Sequence, residues 1–216
     1  MTLIKICGIT NLSDAFTAVE AGADMLGFNF YEPSPRYISP DEARKIIEKL
    51  PEHVMSIGVF VNEAVSKIRS ITNTTKIRTL QLHGDETPAY CEELDNYEVI
   101  KAFRVGNNFE PQQTLGYEVK SIMLDASHPE LRGGTGSVFD WSIAVAVQNL
   151  GRELFLAGGL SPENVAGAIK TVAPCAVDAC SSLEVQPGKK DPQRVAEFIA
   201  AVRSVKPTVI WSRRVF

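Results

Sequence analysis

Strand-like apolar runs and longer helix-like runs take turns along the whole of this chain, with no low-complexity tract or linker between them, and that alternation constrains the fold more than any other feature. Strand character falls at Leu3 to Cys7, Met25 to Phe30, Val54 to Val61, Thr79 to His83, Val99 to Phe103, Ser121 to Asp125, Leu154 to Ala157 and Cys175 to Cys180. Helical periodicity follows in turn: Leu12 to Ala21, where Ala15, Ala18 and Val19 form an inner stripe that Gly22 stops; then Ala64 to Ile71, a run through Tyr90 and Leu94, Asp140 to Leu150, Pro162 to Val172 and Pro192 to Val205. Ser39-Pro40-Asp41-Glu42 opens the second helix with a cap, a first-turn proline and early carboxylates. Only Gly106 to Gly116 lacks a clear period, and we expect it to be short or irregular.

Eight β-then-α units in 216 residues predict an α/β protein of one domain, a closed (β/α)8 TIM barrel, because right-handed crossovers bring such units naturally to closure. An open doubly wound sheet is the alternative. It would usually carry fewer strands, and its dinucleotide-binding form needs a Gly-x-Gly-x-x-Gly turn after the first strand, which Cys7-Gly8-Ile9-Thr10 does not supply. The barrel is expected over 1–205. The tail over 206–216 mixes Val209, Ile210, Trp211 and Phe216 with Arg213 and Arg214, a composition open to packing on the barrel, joining a partner or remaining unpacked.

The net charge of −4 gives no general reason to expect nucleic acid or an anionic membrane as a partner. Met1-Thr2-Leu3-Ile4-Lys5 begins no apolar leader and no later run reaches membrane-span length, so a soluble, cytoplasmic protein is expected, monomer or homodimer. Cys7, Cys91, Cys175 and Cys180 are too few and scattered for a disulfide framework, and no pair has C-x-x-C spacing. Cys91 and Cys175 read as small buried hydrophobes.

In a barrel the carboxyl ends of the strands converge on one face, so the chemistry is sought there. Strand one ends in Cys7, strand four offers Gln81 and His83, strand six ends in Asp125, strand seven leads into Gly158 and Gly159, and strand eight brings Asp178 and then Ser181 and Ser182. A thiol and a carboxyl at one mouth suit a proton-moving reaction, with Cys7 as base; for Asp125 the rival role is a cap on its own loop. A free thiol has a pKa of about 8.5 and needs a cation to become thiolate at neutral pH. Lys5 lies on the same strand face, and either supplies that cation or pairs with an inward carboxylate and leaves Cys7 alone. Gly158-Gly159 ahead of a helix leaves backbone N–H groups open to an anion, and Ser181-Ser182 stands where the other half of a barrel phosphate site belongs. Arg36, between Pro35 and Tyr37, offers a planar fork to a substrate carboxylate. His83, without His or Cys companions at ligand spacing, indicates no metal site and is read as a polar, substrate-side group at the mouth.

With those residues in place, the chain closely resembles the phosphoribosylanthranilate isomerase family of tryptophan biosynthesis. Lys5-Ile6-Cys7-Gly8-Ile9-Thr10, Gly27-Phe28-Asn29-Phe30, Ser34-Pro35-Arg36-Tyr37, Gly58-Val59-Phe60-Val61-Asn62, Gln81-Leu82-His83-Gly84-Asp85-Glu86, Gly133-Gly134-Thr135-Gly136, Phe139-Asp140-Trp141 and Leu156-Ala157-Gly158-Gly159-Leu160 resemble that family's blocks in order. The resemblance implies an Amadori rearrangement of N-(5'-phosphoribosyl)anthranilate to the aminoketose 1-(2-carboxyphenylamino)-1-deoxyribulose 5-phosphate, with no metal or organic cofactor. It implies Cys7 as general base and Asp125 as general acid. It also implies Arg36 on the anthranilate carboxylate, Asp178 on the substrate's polar groups, and Gly158, Gly159, Ser181 and Ser182 on the phosphate. A histidine-pathway aminoaldose is the alternative substrate, although barrels of that type usually carry an aspartate where Cys7 stands. A non-catalytic phosphosugar-binding barrel is a third reading, against which Cys7, Asp125 and Arg36 together argue. The chain departs from the family at Ser182, where glycine is usual: its N–H still binds phosphate if a residue with a Cβ tolerates that backbone, and otherwise phosphate binding weakens or the loop shifts. Cys180 also departs from the pattern and is expected near Cys7; two readings stand, plain burial as a small hydrophobe, or a thiol that oxidation would link to Cys7 or modify along with it.

Overall fold

The computed structural model describes residues 1–126 and 140–206. Gly133 to Gly136, Phe139 and the tail from Pro207 lie outside the described residues. Eight parallel strands close into a barrel in sequence order: β1 (Leu3–Ile6), β2 (Met25–Asn29), β3 (Met55–Phe60), β4 (Thr79–Leu82), β5 (Glu98–Val105), β6 (Ser121–Ala126), β7 (Leu154–Leu156) and β8 (Ala176–Ala179). Closure is made by β8 against β1, where Lys5 stands beside Asp178 and Ile6 beside Ala179. The helices are α1 (Leu12–Ala21), α2 (Pro40–Ile47), α3 (Val65–Thr75), α4 (Pro88–Glu92), α5 (Trp141–Asn149), α6 (Val165–Val172) and α7 (Pro192–Ser204). The capping box at Ser39 and Glu42 starts α2, and left-handed Gly22 ends α1. The segment without a clear period holds a 3-10 helix, Pro111–Gly116, in place of an α-helix.

Strand alternation divides the apolar residues into two cores. Met25, Ile57, Ile100, Ala102, Met123, Phe155 and Ala176 fill the barrel interior, while residues such as Ile4, Leu26, Leu80, Leu124 and Val177 point out against the helices. Polar inward positions gather toward the carboxyl ends, where Lys5, Gln81 and Asp178 are all buried. Gly27 makes that possible on β2, since a Cβ there would stand 2.7 Å from Cys7 Sγ and 3.0 Å from Lys5 Nζ.

Several details differ from the sequence expectation. α3 runs on to Thr75, and β8 stops at Ala179, so Cys180 opens a 3-10 turn, Ser181–Leu183, rather than ending the strand. A hairpin of β9 (Glu184–Gln186) and β10 (Lys189–Lys190) follows. α6 begins at Val165, not Pro162, because Asn164 spends its side chain on Ser161 N and Gly159 O. The Gly158-Gly159 turn is therefore followed by an irregular segment before the helix.

Candidate active site

The barrel mouth holds a cavity of about 270 Å³ lined by Cys7, Arg36, Gln81, His83, Asp125, Gly158, Gly159, Asp178, Cys180, Ser181 and Ser182. All nine site residues expected from the sequence, from Cys7 to Ser182, thus meet in one place. Among the described residues no helix is long and apolar enough to cross a membrane.

Cys7 follows directly on β1 and is buried. Its thiol is held well below the ordinary thiol range, first by a hydrogen bond from the Cys180 thiol and then by Lys5 and Lys190, all acting against burial. Cys180 moves the opposite way, raised by the same bond and by burial, so the pair divides its protons with Cys180 keeping its own. The two fates open to Lys5 prove compatible. Its ammonium, fully buried, lies 2.9 Å from Asp178 Oδ1 and also acts on Cys7. Shared with Cys7, that cation does not fully offset the burial of Asp178, which is pushed up to about 6 by desolvation, with Cys7 adding repulsion.

Arg36 is placed by its own loop and by the hairpin. Asn29 Nδ2 donates to Ser34 Oγ at 3.0 Å, and Ser34 Oγ accepts the Arg36 backbone N–H at 3.2 Å. Glu184 then takes the guanidinium through Nε at 2.9 Å and Nη2 at 2.7 Å. A guanidinium has five N–H donors, so its outer edge, Nη1 and the second Nη2 hydrogen, stays available to another carboxylate. Lys190, buried behind Glu184, bonds Glu184 Oε1 at 2.9 Å, and together with Arg36 it holds Glu184 below the usual carboxylate range despite burial. Burial drives Cys91 to about 11 and Cys175 to about 12, away from reactivity, as small buried thiols should behave.

Across the mouth, His83 Nε2 is 3.1 Å from Asp125 Oδ2 and Gln81 Nε2 is 2.7 Å from His83 Nδ1. The backbone around His83 is fixed by Lys101, whose buried ammonium bonds Leu82 O at 3.3 Å, Gly84 O at 2.8 Å and Glu86 Oε2 at 2.9 Å.

The phosphate-type loops are also defined. Gly158 and Gly159 have φ of 82° and 69°, and a Cβ on Gly158 would stand 2.2 Å from Ala126 N, so the first position admits glycine alone. Ser182 needs no such freedom: it lies in the 3-10 turn without positive φ, and its hydroxyl donates to Leu160 O, tying the seventh loop to the eighth. A Cβ at 182 therefore meets no backbone strain from a positive φ. Arg194 of α7 braces both loops, donating to Ser182 O at 2.6 Å and pairing with Glu163 at 3.2 Å.

Sequence reading gave no role to Glu184, Lys190, Lys101 or Glu86. Two signals pointed to them: lysine inside the apolar run Val99-Ile100-Lys101-Ala102, and the turn pair Pro187-Gly188 between Glu184 and Lys190.

Fold and cavity together define a (β/α)8 barrel with a polar cavity at the carboxyl ends of its strands, where enzymes of this fold carry their active sites. The family model for N-(5'-phosphoribosyl)anthranilate (PRA) isomerase matches residues 4–201. The isomerase of that name from Citrifermentans bemidjiense is 49% identical over 95% of this chain and 98% of its own length. That of Thermotoga maritima is 46% identical over 92% and 97%. A crystal structure of the Thermotoga maritima enzyme superposes with a TM-score of 0.88 at 44% identity, covering 94% of this chain and 99% of that one. Another isomerase structure, in complex with reduced 1-(o-carboxyphenylamino)-1-deoxyribulose 5-phosphate, gives 0.85 at 43% identity over 94% and 99%. The chain belongs to the N-(5'-phosphoribosyl)anthranilate isomerase family.

Proposed function

We propose that this chain isomerises N-(5'-phosphoribosyl)anthranilate to 1-(2-carboxyphenylamino)-1-deoxyribulose 5-phosphate, with Cys7 as general base and Asp125 as general acid. One observation carries the reading: a thiol driven toward thiolate in a cavity whose far wall presents a carboxyl bonded to an imidazole. Asp125 protonates the furanose oxygen, the ring C–O bond breaks, and the anthranilate nitrogen supplies the electron pair that makes the imine. The Cys7 thiolate then takes the proton from sugar C2, and the electron pair left behind forms the C1–C2 double bond of an aminoenol. Proton gain at C1 and loss from the C2 hydroxyl give the aminoketose. The redox change is internal to the sugar, so the step calls on no external oxidant or cofactor.

Arg36 receives the anthranilate carboxylate on its outer guanidinium edge, while Glu184 holds the inner edge. Asp178 takes polar groups of the sugar, with His83 beside them on the substrate side holding Asp125, and the backbone N–H groups of Gly158, Gly159, Ser181 and Ser182 hold the phosphate, an arrangement favoured where backbone amides converge. With Cys7 required as a free thiol, we place the enzyme in the reducing cytoplasm, acting on a small phosphosugar rather than nucleic acid, as a monomer or homodimer; one structural relative is described as dimeric. The test is loss of phosphoribosylanthranilate fluorescence on adding purified protein. Rapid loss with appearance of the aminoketose is expected. No loss, or turnover of a histidine-pathway aminoaldose alone, contradicts the assignment.

A further inference from the structure

The hydrogen-bond chain that ends on Asp125 begins at Gln81, which is 1% exposed near the end of β4. Its Nε2 lies 2.7 Å from His83 Nδ1, and His83 Nε2 lies 3.1 Å from Asp125 Oδ2. A neutral imidazole carries a single proton, so one ring nitrogen donates and the other accepts. With that proton on Nδ1, the Nε2 lone pair would face a carboxylate oxygen. With the proton on Nε2, the same contact becomes donor to acceptor. Nδ1 is then bare and needs a donor, which the Gln81 amide provides. The arrangement leaves Gln81 Oε1 buried with no partner among the described residues.

We propose that Gln81 is a positioning residue of this reaction: its donation to Nδ1 keeps the His83 proton on Nε2, which anchors one oxygen of Asp125 and leaves the other to deliver a proton. The proposal rests on reading Asp125 as the general acid. After Asp125 has protonated the sugar oxygen, the carboxylate left behind keeps the Nε2–H bond, so no unpaired anion opposes the transfer. The ring is held for this task from its backbone as well, since Lys101 bonds Leu82 O and Gly84 O on either side, and Arg104 Nη2 donates to His83 O at 3.2 Å. The remaining freedom of the imidazole is where its proton sits, and that is the freedom Gln81 removes.

Nitrogen-15 NMR of ring-labelled protein at about pH 8, above the ordinary histidine range, reads the tautomer directly, with His83→Asn assigning the signals. Wild-type His83 is expected as the Nε2–H form. Gln81→Met is expected to show mixed tautomers and a kcat roughly tenfold lower, a share of the roughly 10²–10⁴ that general acid–base catalysis supplies, with KM within about twofold. Gln81→Glu, whose carboxylate accepts from Nδ1–H, is expected to move the proton to Nδ1 and lower kcat at least as far. A wild-type His83 protonated on Nδ1 overturns the proposal without recourse to any variant, as does Gln81→Met with unchanged tautomer and kcat. Full activity in Asp125→Asn removes the general-acid reading and the proposal with it, whereas an inactive Asp125→Asn beside an Nδ1-protonated His83 removes the proposal alone.

Discussion

On the wall of the mouth formed by β1 and β8, the side chains of Lys5, Asp178, Glu184 and Lys190 are 0% to 9% exposed and crowd around two thiols. On the wall formed by β4 and β6, the His83 and Asp125 side chains are 20% and 30% exposed and are joined in a line by hydrogen bonds. The contrast suits the roles proposed for the two walls. A thiol has to be ionised before it can act as a base, and only a strong local field, undiluted by water, makes that happen. An acid has to give its proton away and regain it every turnover, so it needs orientation and contact with solvent rather than a large field.

That contrast can be broken from either side, and the largest effect on folding is expected at Lys5. Lys5→Met leaves Asp178 buried without its cation and should cost about 3–5 kcal/mol in urea unfolding. The sign with pH follows from Asp178, which burial already raises to about 6 with Lys5 in place and which losing the Lys5 charge raises further: acidification protonates it, removes the unpaired charge, and should shrink the loss. Arg36→Lys substitutes a point charge for the fork that Glu184 orients, and KM should rise roughly tenfold with kcat nearly unchanged, as initial rates would show. Cys180→Ala takes away the leading cause of the lowered Cys7 pKa. Since Cys7 must be deprotonated to act, the acid limb of the kcat/KM profile should move to higher pH, with activity recovered in alkaline buffer and the ultraviolet thiolate absorbance shifted in step. Ser182→Gly places glycine at a position without positive φ. It should leave inorganic phosphate inhibition within about twofold, because the backbone N–H is retained and only the tie to Leu160 O is lost.

The eight units, their order and the mouth residues were legible because strand and helix periods are local signals, and barrel closure follows from their count. Ends of elements were less legible. Ser161-Pro162 carries a helix-start signature, yet Asn164 turns its side chain back on Ser161 N and Gly159 O and delays α6 to Val165. The hairpin at Glu184 and Lys190 was hidden because neither strand exceeds three residues. The electrostatics were only partly legible: spacing put Lys5 on the inward face beside Cys7, but its partner Asp178 stands 173 positions away and meets it only through the register of β1 on β8. Cys180 was expected near Cys7 from the closure of strand eight on strand one, but its hydrogen bond to that thiol was not legible, because it depends on the chain turning at Cys180.

The account stands on Cys7 and Asp125 acting as base and acid on the two walls. Single-turnover fluorescence of phosphoribosylanthranilate with wild type, Cys7→Ala and Asp125→Asn, each checked for native circular dichroism, tests this most directly. Each variant should fold as wild type and lose on the order of 10²–10⁴ in rate. A folded Cys7→Ala or Asp125→Asn protein that turns over at the wild-type rate would contradict it.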